Sequence, residues 1–168
     1  MEQLDFFSDD VKPKFNPKFL HELVNDLYQI PVLQEHEMKK LFEDQNSSGY
    51  FWEQVLAKHM PHTMICEKRN QKGMDFKDGT DAKFALAGRY QKADQRQATI
   101  GIENKIGTLR VCMCYRGDKY HKLFFMKIPY KAHSKVKGQN IKITFSNFHP
   151  TGSWWDKYQC SWDEVIAP

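Results

Sequence analysis

Apolar residues keep helical spacing up to about residue 60 and a period of two beyond about residue 80. That change of period limits the fold more than any other feature of the chain. Over residues 19–28, Leu20, Leu23, Val24 and Leu27 recur on one helical face until Pro31 stops the run. A second helix is predicted over 34–42, with Leu33, Met38, Leu41 and Phe42 as its apolar side. Asn46-Ser47-Ser48-Gly49 reads as a turn. A third helix follows over 50–59, with Phe51, Val55 and Leu56 on one face, Glu53 at its edge and Pro61 beyond its end. After a possible strand at 63–68 and a loop at 69–80, segments 81–87, 98–105, 108–115, 122–128 and 141–145 alternate as strands. Arg116-Gly117-Asp118-Lys119 reads as a hairpin turn and 129–140 as a basic loop. Helices first and strands after predict an α+β fold, with N-terminal helices followed by a mixed, largely antiparallel sheet.

A length of 168 residues suits one domain. Within it we distinguish an N-terminal arm with helices (1–48), a core (49–145) and an aromatic tail (146–168) that carries Trp154, Trp155 and Trp162. Core or lid packing is the better reading of Trp154 and Trp155, with base stacking as the alternative. No apolar run reaches the roughly 18–20 residues of a membrane span. The opening MEQLDFFSDD lacks the basic-then-apolar order of an export signal, so a cytoplasmic protein is expected. Cys66, Cys112, Cys114 and Cys160 include no C-x-x-C pair and are read as reduced; Cys112 and Cys114 share a strand face as small core residues.

Net charge is only +4, but it is unevenly spread. Residues 1–57 hold 5 basic and 11 acidic side chains, residues 58–142 hold 19 and 7, and residues 143–168 hold 1 and 3. A basic middle between acidic ends is the footprint of a polyanion-binding surface, or else a solvated lysine-rich face.

The chemistry-bearing residues lie in that middle. In A-T-I-G-I-E-N-K, residues 98–105, a strand places Ile100 and Ile102 on a core face. Glu103 and Lys105 then project together from the opposite face. Asp81 opens the preceding strand, and a hairpin of the two strands brings it near Glu103. Two converging carboxylates repel unless a cation lies between them, and a hard cation such as Mg²⁺ accepts them together with water and phosphate oxygens. An ammonium beside them can orient the attacking water and offset charge on the phosphate. His59, His62 and Cys66 make a weaker zinc candidate, because Pro61 interrupts the helix and no fourth ligand is spaced to match.

Asp81, followed after 21 residues by Glu103-Asn104-Lys105 at the end of an apolar strand, resembles the PD-(D/E)XK nuclease superfamily. Glu53 matches the acidic residue that a preceding helix often supplies in that family. The matched region runs from about residue 49 to 115. The resemblance implies a restriction-endonuclease-like core and an Mg²⁺-dependent (or Mn²⁺-dependent) endonuclease of restriction or homing type, in a bacterial or phage-infected cell. Asp81 and Glu103 would be metal ligands, with Lys105 and Glu53 in the catalytic set. No proline precedes Asp81, Asp78 competes for its role, and the 88–97 connection is long for a hairpin. Double-stranded DNA is the implied partner. Arg89, Lys92, Arg96, Lys131, Lys135 and Lys137 are the expected phosphate contacts. Residues 19–42 are the candidate surface for a homodimer, or simply cover the sheet within one chain. The competing functions are a non-catalytic nucleic-acid-binding protein and a nuclease regulator.

Overall fold

The computed structural model describes residues 14–15, 45–67, 73–88, 96–116 and 120–168. The expected helices at 19–28 and 34–42, with the dimer surface they would carry, lie outside these residues, as do Arg89 and Lys92. Among the described residues no helix is long and apolar enough to cross a membrane.

The helix expected at 50–59 is α1 (Gln45–His59), which starts one residue before the segment read as a turn and runs through it. Tertiary packing overrides the turn preference of Asn46-Ser47-Ser48-Gly49. Ser48 is buried, and one turn further on Phe51, Trp52, Val55 and Leu56 form the buried face. Full burial stabilises each such apolar side chain by roughly 1.5–3 kcal/mol. Trp52 is enclosed because its indole N–H donates to the Arg110 carbonyl at 2.9 Å.

Next come β2 (Asp81–Gly88), β3 (Gln97–Gly101), β4 (Leu109–Arg116) and β5 (Tyr120–Ile128), each close to an expected strand. β1 (Lys14–Phe15) precedes α1, and of the expected strand at 63–68 the described residues, 63–67, hold a single Ile65–Phe76 bridge. α2 (Tyr130–His133) replaces part of the basic loop, and β6 (Asn140–Ser146) and β7 (His149–Thr151) follow. The aromatic tail holds α3 (Ser153–Tyr158), β8 (Gln159–Cys160) and α4 (Trp162–Ile166). Ser161 caps α4 by accepting the Glu164 N–H at 3.2 Å.

The pairing departs from the expected hairpin. A mixed sheet runs β1-β5-β4-β2, with β8 on β5, and a separate antiparallel sheet runs β3-β6-β7. β2 pairs β4 in parallel, from Asp81 opposite Leu109 to Gly88 opposite Arg116, and β3 pairs β6. β2, which carries Asp81, and β3, which precedes Glu103, therefore do not form a hydrogen-bonded hairpin. β3 instead packs on the face of β2, where Ala85 and Ala87 share a core cluster with Ala98 and Ile100. Alanines leave room for a second sheet to approach.

Three layers result. Phe51, Trp52, Val55, Leu56, Phe84, Cys112, Cys114, Phe125 and Val165 fill the space between the helices and the mixed sheet. Ile100, Val111, Met113, Tyr115, Met126, Ile141, Ile143, Phe145 and Trp155 fill the space between the two sheets. Ile100 and Ile102 are buried, as are Cys112 and Cys114, on the faces their spacing indicated, and all four cysteines are free.

Candidate active site

The site forms where the first residues of β2 meet the two flanking loops. Side chains alternate along β2, so Ala82, Phe84 and Leu86 turn toward α1. Asp81, Lys83, Ala85 and Ala87 turn toward the second sheet. Asp81 is 1% exposed. A buried lone carboxylate is costly, and here two ammonium groups offset it. Lys105 Nζ lies 2.9 Å from Oδ1, and Lys83 Nζ lies 2.9 Å from Oδ2. The Lys83 ammonium approaches off the line of a hydrogen bond, so the buried Oδ2 is ion-paired without being hydrogen-bonded. Burial alone would lower the Lys105 pKa, but the Asp81 carboxylate outweighs it and holds the ammonium above its ordinary value.

Residues 75–80 supply a further carboxylate. The Thr80 carbonyl accepts from the backbone N–H of Asp75 at 2.9 Å and of Phe76 at 3.0 Å, which folds the segment into a tight turn. Gly79, at φ 92, takes the left-handed conformation that this turn needs. The turn brings Asp75 Oδ2 within 2.8 Å of the Ala82 N–H, which donates to it. Glu53 of α1 lies close enough to Asp75 for a carboxyl–carboxylate hydrogen bond, which requires a proton on one of the two. Burial, and then the Asp81 charge, push the Asp75 pKa up; the Ala82 and Glu53 bonds and Lys105 act against this.

The loop after β3 completes the site. Gly107 packs so tightly on the 75–80 turn that a Cβ there would stand 2.2 Å from the Gly79 oxygen. The Thr108 carbonyl accepts the Asp81 N–H at 2.9 Å, and the Gly107 carbonyl lies 2.7 Å from the buried His133 ring nitrogen Nε2. These contacts fix Lys105 relative to Asp81.

Asp75, Asp81, Lys83 and Lys105 thus come together, with Glu53 beside Asp75, and Glu103 does not join them. Strand β3 ends at Gly101, and Asn104 takes a left-handed φ of 58° between Glu103 and Lys105. The two residues no longer share a strand face. Glu103 is exposed and accepts a 3.4 Å hydrogen bond from Gln139. Asp75 stands beside Asp81 instead. Asp78 does not replace Asp81 either: its Oδ1 accepts the Thr80 N–H at 2.9 Å, and it pairs with His62 at 3.5 Å. Burial would raise the Asp78 pKa, but the Thr80 hydrogen bonds, with Arg110 and His62, hold it below its ordinary value. His59 packs edge-on against Trp162, so the His59–His62 zinc candidate gains no support.

Among the expected phosphate contacts, Lys131, Lys135 and Lys137 are exposed. Arg96 is half-buried; its guanidinium hydrogen-bonds the Tyr115 hydroxyl and lies 5.7 Å from the centre of that ring. Asp75 and Lys83 were not anticipated. Their signal was the triplet Asp81-Ala82-Lys83, which has the same acid-x-lysine spacing as Glu103-Asn104-Lys105 and lies six residues after Asp75.

Asp75 and Asp81 are close enough for their charges to interact, and the Asp81 Oδ2 is already paired with the Lys83 ammonium at 2.9 Å, so an ion there would have to displace that pairing. Among the described residues no group of three or more His, Cys, Asp or Glu side chains is placed so that it could hold a metal ion. Mg²⁺ needs only one or two carboxylates beside its waters and a substrate phosphate. No protein-family model, no curated protein and no solved structure matches this chain.

Proposed function

We propose that the protein is a divalent-metal-dependent endonuclease that hydrolyses DNA phosphodiester bonds. The observation that carries this reading is the convergence of Glu53, Asp75 and Asp81 with the ammonium groups of Lys83 and Lys105. Asp75 and Asp81 would hold the ion, with Glu53 supporting Asp75 from the helix. When bound, Mg²⁺ supplies a Lewis acid for the phosphoryl oxygen and lowers the pKa of water beside it. Lys105 and Lys83 offset negative charge on the scissile phosphate once the ion relieves their pairing with Asp81. The resemblance to PD-(D/E)XK nucleases is then carried by Asp81-Ala82-Lys83, with Asp75 upstream, in place of Glu103-Asn104-Lys105.

The substrate fits the basic middle of the sequence, where exposed Lys131, Lys135 and Lys137 supply phosphate contacts. Cutting both strands of a duplex requires two chains or two visits, and residues 19–42 remain the proposed dimer surface. Incubation with supercoiled plasmid, with Mg²⁺ or with EDTA, tests the activity. Nicked or linear product only with the metal supports it, and intact plasmid under all metal conditions removes it.

A second reading is binding without cleavage. It is favoured by the way Lys83 and Lys105 both close on Asp81, which leaves a self-neutralised cluster. Under that reading the protein binds DNA with salt-sensitive affinity, and Mg²⁺ changes neither its stability nor the DNA.

A further inference from the structure

A cavity of about 460 Å³ opens between α2 and α3, and Lys131, Lys135, Lys157, Trp154 and Tyr158 line it. None of its lining side chains is acidic. Trp154 packs partly on the core between the sheets, and its ring centroid lies 5.4 Å from that of Tyr158 with the planes 35° apart. The pocket therefore combines a fixed aromatic wall with three exposed ammonium groups. An aromatic face suits a nucleobase, which stacks without sequence preference, and lysines at the rim suit its phosphates. The volume is in the range of small-ligand sites, about 300–1,000 Å³, and matches a single nucleotide unit rather than a duplex.

We propose that this pocket binds an unpaired nucleotide of a DNA strand, with the base against Trp154 and the flanking phosphates on Lys131, Lys135 and Lys157. The neighbouring hollow does not extend the track. Glu164 is on its wall, and Lys127 there is committed to the carbonyls of Ala167 and Pro168 at 2.8 and 3.2 Å. The site thus holds one nucleotide, and the strand on either side leaves over the surface. α2 is tied to the Gly107 loop by His133, so a nucleotide in the pocket sits on an element anchored to the acidic cluster. This goes beyond cleavage and does not require it: a protein that only binds DNA would use the pocket in the same way.

The test is binding of fluorescent oligothymidylate of about ten nucleotides, and of a duplex of equal length, to the full chain in EDTA, where no cleavage occurs. Trp154→Ala should weaken the single strand roughly tenfold or more and leave the duplex within about twofold, and Trp154→Phe should restore most of the loss. Lys157→Glu, at an exposed position, should weaken the single strand and flatten its salt dependence. Thymidine monophosphate is the competing probe, and it should displace the strand only weakly. Unchanged single-strand affinity in both folded Trp154→Ala and Lys157→Glu would overturn the proposal. So would equal losses on strand and duplex in Trp154→Ala, or tight monophosphate binding that depends on Trp154 while the strand does not compete. Because the assay contains no metal, failure of cleavage and failure of this pocket are separate results.

Discussion

Gly107→Ala tests how the site is held. A Cβ at residue 107 would stand 2.2 Å from the oxygen of Gly79, 2.5 Å from its carbonyl carbon and 2.9 Å from its Cα. Those atoms are backbone, so no rotamer change relieves the contact. Ordinary van der Waals contact starts near 3.4 Å, so the 75–80 turn and the 102–108 loop must part by about 1 Å. Overpacking of this kind costs about 1–3 kcal/mol. For a chain of this length that is a fall in melting temperature of about 3–10 °C. The same movement pulls Lys105 from Asp81 and Asp81 from Thr108, so cleavage should fall by about 100-fold, the usual cost of a 1 Å misplacement. Gly49→Ala is the control: in α1 its Cβ would meet nothing within 4 Å, and alanine should stabilise the helix by up to about 1 kcal/mol. The pair would be read by thermal denaturation and by plasmid cleavage with Mg²⁺. A Gly107→Ala protein with unchanged melting and cleavage would refute the close apposition of the two loops.

Asp75→Asn should raise stability near neutral pH while abolishing cleavage. The folded Asp75 carboxyl titrates above its ordinary value of 3.8, so its favourable contribution is complete below that pH and is lost as pH rises through the folded value. Mg²⁺ should raise the melting temperature of the wild type and not of this variant, by up to about 2.7 kcal/mol of stability at a hundredfold excess over its Kd. Lys105→Ala should destabilise by about 1–3 kcal/mol, less than the 3–5 of a fully buried broken pair because Lys105 is 22% exposed. It should stop cleavage with little change in DNA affinity, and a variant that cleaves at the wild-type rate at saturation would exclude Lys105 from the chemistry. Replacing Lys131, Lys135 and Lys137 together by Gln should reduce the slope of log affinity against log salt on duplex DNA by about 2–3 units. An unchanged slope would move the phosphate contacts elsewhere.

Local pattern made the strands legible: β3 and β6 alternate with one face in the core, and β2, β4 and β5 are apolar runs buried on both faces. Pairing was not legible. Whether Ala85 and Ala87 meet Ala98 and Ile100 edge to edge or face to face depends on the crossover, and a period of two is the same in both arrangements. Glu53 and Asp81 could be found as an acid at a helix edge and an acid at a strand start. Glu103 was misread because Asn104 looks like one more strand residue until its left-handed backbone ends the alternation. Asp75 was hidden in a loop, where no periodicity exists and backbone hydrogen bonds to Thr80 and Cys66 bring the carboxylate to Ala82. The short helices α2, α3 and α4 are too brief to show a helical period, and the tryptophans of α3 and α4 read only as an aromatic cluster.

The most direct test is a side-by-side cleavage assay of Asp75→Asn and Glu103→Gln on supercoiled plasmid with Mg²⁺. If Asp75 and Asp81 hold the ion, Asp75→Asn should lose at least about 1,000-fold, the scale of an essential charge-stabilising group in an active site. Glu103→Gln, altered at an exposed turn residue bonded to Gln139, should stay close to the wild type. An Asp75→Asn protein that cleaves normally beside an inactive Glu103→Gln protein would contradict the site described above.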